Sequence, residues 1–273
     1  MVTGNMKKAV YVHMNNPGYE MMKAFEGMDA FKNRIVAFID VMGIGNRMRE
    51  AKTPQKLQMF SKLLYIFANQ PFAENKIQTV LFSDCMYLIT EPQYIKELIS
   101  LLANSAYTFL TNRISTVTVS DCGQLSSEVE WDCLKLRGGI TYGKVLVLDE
   151  EAKKKNRLLH SNIVLGPAVV AAYDLENRKA VFPRIIVDEA FVQMLEHNKI
   201  SCEDCYLIQD NPKDFYYLDF WKYMFKGGRG PSDFLSGCID YINIELNEAI
   251  DASNAKLTGQ LLWYIKYLER YMN

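Results

Sequence analysis

RIVAFIDVMGIG, residues Arg34 to Gly45, is an unbroken β-branched, aliphatic and aromatic run that stops at an acid, Asp40, and then at a glycine pair, Gly43 and Gly45. Continuous apolarity without three- and four-residue spacing reads as a buried strand, and the glycines read as the turn that ends it. Downstream, Lys56 to Asn69 sets Leu57, Phe60, Leu64, Phe67 and Ala68 at helical spacing, which predicts an amphipathic helix lying across a sheet. Thr79 to Leu81 and Met86 to Thr90 flank Phe82-Ser83-Asp84-Cys85 and predict a hairpin with Asp84 at its bend. Gln93 to Leu110 carries Ile95, Leu98, Ile99, Leu102, Ala106 and Phe109 on one helical face. Leu134 to Leu148 reads as a further strand pair around Gly138, Gly139 and Gly143.

Strand, helix, two strands, helix, strand is the order of a ferredoxin-like arrangement, an antiparallel sheet covered on one face by two helices. The expected fold class is therefore α+β. Ser115 to Asp132 is polar and reads as an excursion from that core. Beyond it come the short apolar run Ile163 to Leu165, a helix from Pro167 to Glu176, and a strand from Arg184 to Asp188. Pro167 suits a first helical turn, where its missing N–H costs nothing. KGGRGP, Lys226 to Pro231, precedes two terminal helices that pack on the core or on a second subunit. The expected organisation is an N-terminal extension over 1–33, a core domain over 34–190, and a mostly helical C-terminal extension over 191–273.

Composition narrows the function classes. In 273 residues, 31 Lys and Arg balance 32 Asp and Glu, so there is no global field to draw in a polyanion, and nucleic acid is not expected as a partner. The N-terminus lacks a signal peptide's apolar core, and no eighteen-residue apolar run could cross a bilayer, which predicts a cytoplasmic protein without a membrane partner. Six scattered cysteines are too few for a disulfide scaffold of this length and read as reduced thiols. Cys202-Glu203-Asp204-Cys205 is a lone pair without zinc-ribbon partners. His13, His160 and His197 lie in no nucleophile motif, and Trp263, Tyr264, Tyr267 and Tyr271 form an aromatic helix expected to bury against the protein.

The chemistry rests on Asp40 and Asp84, one where a core strand ends and one where a hairpin turns, on strands that the topology makes neighbours. Converging carboxylates are hard oxygen ligands suited to two divalent ions, Mn²⁺ or Mg²⁺, carrying substrate phosphates. Gly43 and Gly45 would let backbone N–H groups approach a triphosphate closely. Taken singly, each acid is more often a turn cap or hairpin residue.

Together the motifs resemble the class III nucleotidyl cyclases over about Arg34 to Asp188. Asp40-Val41-Met42-Gly43-Ile44 is similar to the family's D-I-x-G-F, and Asp84 stands at the second metal aspartate. Leu136-Arg137-Gly138-Gly139-Ile140-Thr141-Tyr142-Gly143 is similar to its R-x-G-I-x-x-G strand, and Gly166-Pro167-Ala168-Val169 to Leu175-Glu176 resembles its G-x-x-V-N-x-A-x-R-L-E helix. The resemblance implies that Asp40 and Asp84 bind two metal ions, that Val41 lends a carbonyl, and that Gly43, Ile44 and Gly45 meet a nucleoside triphosphate. It also implies a homodimer with active sites at the subunit interface. Arg137 is either a phosphate ligand or half of a structural ion pair, and Phe38 either lines a base pocket or packs in the core.

Departures from the pattern are informative. Val80 stands where adenylate cyclases carry a base-reading Lys, Ile163 where they carry a second base contact, and Val170 and Asp174 where the family places a transition-state Asn and Arg. This altered set is similar to the pyrimidine cyclases of bacterial Pycsar antiphage systems. That likeness implies conversion of UTP or CTP to a 3',5'-cyclic nucleotide, which activates a separate effector protein. Two alternatives stand beside it: a catalytically degenerate nucleotide-binding module, and a purine cyclase with rewired base recognition.

Overall fold

The computed structural model describes residues 31–44, 76–82, 85–119, 125–131, 133–147, 164–226 and 230–272. The deciding apolar run forms β1 (Phe31–Met42), which passes Asp40 by two residues before Gly43 turns the chain at a φ of +83°, a conformation open to glycine. Side chains two apart on a strand share a face. Ile35, Ala37, Ile39 and Val41 point into the main core, while Val36 and Phe38 point into a smaller cluster on the opposite face. Asp40 shares the face of Phe38. A one-residue slip would carry its carboxyl into the main core and expel Ala37 together with Ile35, Ile39 and Val41, the last three each contributing about 1.5–3 kcal/mol when buried, so the register is strongly specified.

The expected hairpin is present as β2 (Ile77–Phe82) and β3 (Cys85–Thr90). A short 3₁₀ turn, Pro92–Tyr94, leads into α1 (Ile95–Leu110), whose six predicted apolar positions are all buried. The predicted excursion is a two-stranded ribbon apart from the main sheet, β4 (Arg113–Val119) with β5 (Leu125–Trp131). The strand pair expected from Leu134 to Leu148 is instead one continuous strand, β6 (Lys135–Val147). Its glycines do not break it, because they serve close approach to neighbouring elements. The predicted helix Lys56 to Asn69 lies outside the described residues.

The sheet runs β2-β3-β1-β6, antiparallel throughout, which is the ferredoxin-like order expected from the sequence. The fold is α+β. Past β6 the order is β8-β10-β9, formed by β8 (Ile185–Val187), parallel to β6, β10 (Tyr216–Leu218) and β9 (Leu207–Ile208). The pair β7 (Val164–Leu165) attaches to the far end of β6. Two strands from beyond residue 190 thus join the same sheet.

The predicted helix at Pro167 is α2 (Pro167–Asp174), with Pro167 in its first turn, followed by a π turn over Leu175–Lys179. α3 (Glu189–His197) is capped by Asp188, whose carboxylate accepts from the Phe191 N–H. α4 (Phe220–Phe225) precedes the two expected terminal helices, α5 (Ser232–Asp251) and α6 (Ala255–Glu269). Tyr264 and Tyr267 of α6 are buried in the main core, as the aromatic pattern predicts. Among the described residues no helix is long and apolar enough to cross a membrane.

Candidate functional site

β1 and β6 pair in register so that Asp40 stands opposite Arg137 and Phe38 opposite Gly139. On the other side of β1, Asp40 stands opposite Cys85 and Phe38 opposite Tyr87. Asp40, Arg137 and Cys85 therefore share one face of the sheet, the face that α2 covers. α2 comes down onto β6 because Gly139 has no side chain. A Cβ there would lie 2.4 Å from the Leu175 Cβ, 2.7 Å from the Ala172 carbonyl and 3.0 Å from the Glu176 N. That approach delivers Glu176, from the π turn, onto Arg137.

The result is one guanidinium between two carboxylates. The Arg137 Nη2 lies 3.1 Å from the Asp40 Oδ2 and is also in contact with the Glu176 Oε1. Side-chain exposure falls from 22% at Asp40 through 19% at Arg137 to 5% at Glu176. Burial pushes the Glu176 carboxyl up, the Arg137 charge opposes that shift, and the nearby Asp40 charge adds to it. The Arg137 Nε is buried without a hydrogen-bond partner among the described residues.

Next to this triad lies an aromatic group. Phe38 is 6% exposed, with its ring centroid 4.8 Å from that of Tyr87 and 5.4 Å from that of Tyr173. Phe82 meets the Tyr87 ring edge-on at 6.0 Å. Burial, then the neighbouring Cys85 and Tyr173, push the Tyr87 hydroxyl up to about 12, so it remains a hydrogen-bond donor at any physiological pH. Phe82, Val170 and Tyr173 are all exposed on the outside of this region, Val170 by 60%.

The predicted residues divide as follows. Asp40, Phe38 and Arg137 are brought together. Val41 turns its side chain into the main core beside Asp40, and Ile44 is fully buried there. Gly43 makes the turn. Asp84 and Gly45 lie outside the described residues, as does Ile163. Arg137 sits in an ion pair, and the phosphate-ligand alternative concerns the same guanidinium. Sequence reasoning passed over Glu176 as a site residue. Its signal was spacing: Ala168, Ala172 and Glu176 recur every four residues, so the acid falls on the helix face that looks at the sheet.

Other candidates are structural. Burial raises the thiols of Cys202 and Cys205, the latter to about 11, which disfavours the thiolate a metal or redox site needs. Among the described residues no group of three or more His, Cys, Asp or Glu is placed to hold a metal ion.

No family model matches the chain, and no curated protein matches it. Several solved structures are similar in chain path. A monomeric guanylyl cyclase domain of the RhoGC fusion protein from the aquatic fungus Blastocladiella emersonii is 14% identical, with 68% of this chain and 93% of that one covered and a TM-score of 0.46. A bacterial light-regulated adenylyl cyclase is 13% identical, with 70% and 91% covered and a TM-score of 0.41. The adenylyl cyclase CyaB from P. aeruginosa is 10% identical, with 68% and 92% covered and a TM-score of 0.38. Likeness of this degree assigns neither activity nor substrate to this chain.

Proposed function

We propose that this chain is a nucleotidyl cyclase that converts UTP or CTP into the 3',5'-cyclic nucleotide and pyrophosphate, with Asp40, Asp84 and the Val41 carbonyl holding two divalent cations, Mn²⁺ or Mg²⁺. The observation that carries this reading is the pairing of Asp40 with Cys85, the residue that follows Asp84 in the chain. Consecutive Cα atoms are about 3.8 Å apart and cross-strand partners about 4.5–5.5 Å. The nearness of Cys85 to Asp40 supports the reading that Asp84, the residue next to Cys85 in the chain, serves the same ions as Asp40.

The donor chemistry fits such ions. Asp40 offers a partly exposed hard oxygen, and the Glu176 carboxylate shares the Arg137 guanidinium with it. When bound, the ions neutralise charge developing on the phosphoryl oxygens and lower the basicity of the ribose 3'-hydroxyl. The chain's own part is positioning. Gly43, Ile44 and Gly45 present backbone N–H groups to the triphosphate, Arg137 stands beside the phosphates, and Phe38 with its aromatic neighbours floors the base side. The ribose 3' oxygen bonds to the α-phosphorus, the bond between the α- and β-phosphates breaks, pyrophosphate leaves, and the hydroxyl proton passes to solvent.

A pyrimidine is favoured because Val80, at the place of the adenine-reading Lys, is apolar and 8% exposed. The exposed Phe82, Val170 and Tyr173 near Asp40 support a second copy of the chain closing over the site as a homodimer. The product would act in the cytoplasm on a separate cyclic-nucleotide-activated effector in antiphage defence. One observation favours a degenerate binding module instead. At the places of the family's Asn and Arg, Val170 is an exposed apolar residue and Asp174 pairs with Arg178 at 3.2 Å.

Incubation with each of the four ribonucleoside triphosphates and Mn²⁺, followed by mass spectrometry, tests the reading. Cyclic UMP or cyclic CMP is expected, and Asp40→Ala or Asp84→Ala should each abolish it. A cyclic purine product would assign the purine alternative, nucleotide binding without turnover would assign the degenerate module, and no cyclic product from any nucleotide overturns the proposal.

A further inference from the structure

Arg137 is the unusual member of the site. Buried arginines that serve structure commonly grip one carboxylate with both prongs of the guanidinium, a geometry that fixes both partners. Here a single nitrogen, Nη2, touches two different carboxylates, and Nε is buried without a hydrogen-bond partner among the described residues. The two contacts are unequal. At 3.1 Å the bond to Asp40 is longer than charge-assisted bonds usually are, about 2.7–2.9 Å, and the Glu176 side chain is the more buried of the two, 5% exposed against 22%. Glu176, almost enclosed, has little access to solvent in place of the arginine, but Asp40 is more than a fifth exposed and can exchange its partner for a solvated cation. Arg137 and Glu176 are thus the more firmly coupled pair, and Asp40 is the looser seat.

We infer that Arg137 is a displaceable occupant of the metal-binding oxygen of Asp40, with Glu176 as its second seat, so that this pair sets the metal affinity of the site. The inference rests on the reading of Asp40 as a metal ligand. An arriving cation takes the Asp40 Oδ2, and Arg137 withdraws onto Glu176 without leaving its charge unpaired. The cluster then counts one guanidinium on Glu176 and one cation on Asp40. Arg137 and Glu176 act through Asp40 and are positioning residues in this respect. The arrangement keeps Asp40 partnered while no metal is present, and it makes occupancy of the site depend on cation concentration.

Charge fixes the sign of each test. Removing the guanidinium removes both a competitor and a repelling charge, and removing the Glu176 charge leaves Arg137 with Asp40 as its one carboxylate seat among the described residues. Titration of the full chain with Mn²⁺ alone, read from the free-ion signal in electron paramagnetic resonance, should show Arg137→Gln binding at least about tenfold tighter than wild type and Glu176→Gln about tenfold weaker. Arg137→Lys, which keeps the charge, should stay near wild type. A purely structural ion pair would make both neutral variants bind more weakly or leave both unchanged, and either result overturns the inference. Should Arg137→Gln fail to fold, Glu176→Gln carries the test: weaker binding supports the second seat, and unchanged or tighter binding overturns it. Asp40→Asn separates the two levels. If it leaves Mn²⁺ binding intact, the reading of the site falls together with the inference. If it abolishes binding while Arg137→Gln fails to tighten it, the inference alone falls.

Discussion

Two carboxylates, Asp40 and Asp219, are held in opposite ways. Asp219, 2% exposed, accepts from the Tyr267 hydroxyl at 2.8 Å, the Tyr271 hydroxyl at 2.5 Å and the Lys222 N–H at 3.1 Å. The same Tyr267 hydroxyl accepts from the Trp221 N–H at 3.1 Å, so this network closes on itself and fastens α6 to α4. Asp40 shares one guanidinium nitrogen with Glu176, and the Arg137 Nε is buried without a hydrogen-bond partner among the described residues. A saturated polar network rigidifies a fold, whereas an unsaturated one on a partly open face leaves capacity for a ligand. Under the proposed function, the C-terminal network serves structure and the face under α2 serves chemistry.

The comparison is broken most severely at its ends. Asp40→Asn should cut cyclase turnover on the order of 1000-fold while leaving the melting temperature close to wild type. Asp219→Ala should do the reverse. It strands the buried Tyr267 hydroxyl and the half-buried Tyr271 hydroxyl and Lys222 N–H and removes the cap of α4, costing about 2–5 kcal/mol by chemical denaturation, while the remaining folded protein keeps its Mn²⁺ affinity. If the two variants have similar effects on both readouts, the division between the faces is wrong.

A pair of glycines sharpens the contrast. Gly139→Ala forces a methyl group into the Leu175 side chain and the Ala172 carbonyl, and should cost about 1–3 kcal/mol while disturbing metal binding through Glu176. Gly259 in α6 has nothing within 4 Å of its would-be Cβ, so Gly259→Ala should stabilise the protein by up to about 1 kcal/mol without effect on the site. Thermal denaturation of both variants tests the opposite signs.

Acid titration gives the subtlest separation. Burial pushes the Asp210 carboxyl up, but bonds from Tyr217, Arg270 and Trp263 outweigh it and hold the group below its usual value. A depressed folded value adds stability above the unfolded value, about 3.9, and that stability is lost as pH falls through the folded value. Asp210→Asn should therefore be less stable than wild type at pH 7, with the gap closing below about pH 4. A gap that persists to lower pH would show that the carboxylate charge is not what the surrounding donors stabilise.

The central strand and the hairpin were legible from apolar runs bounded by turn residues, α1 from its helical spacing, and the ferredoxin-like order from the succession of such elements. β6 was read as two strands because glycine ordinarily punctuates. Only the packed fold shows that Gly139 makes room for α2 and that a Cβ on Gly138 would meet Ile39. The polar run from Ser115 is a ribbon whose alternation, Leu125, Val129 and Trp131 against Ser126, Glu128 and Glu130, is diluted by Ser and Thr, and β9 and β10, two and three residues long, are too short to carry a period. At the site, Asp40 and Arg137 stood out by residue type and motif. Glu176 did not, because an acid at a helix end is ordinary until tertiary structure places it 5% exposed against an arginine from another strand.

A crystal structure of the full chain with Mn²⁺ and a non-reacting UTP analogue, with the metal located by its anomalous scattering, tests the central claim most directly. Two manganese peaks are expected, bridged by carboxylate oxygens of Asp40 and Asp84, with Arg137 turned onto Glu176. Manganese bound without Asp40, or bound at Asp40 with Asp84 pointing elsewhere, would contradict the account.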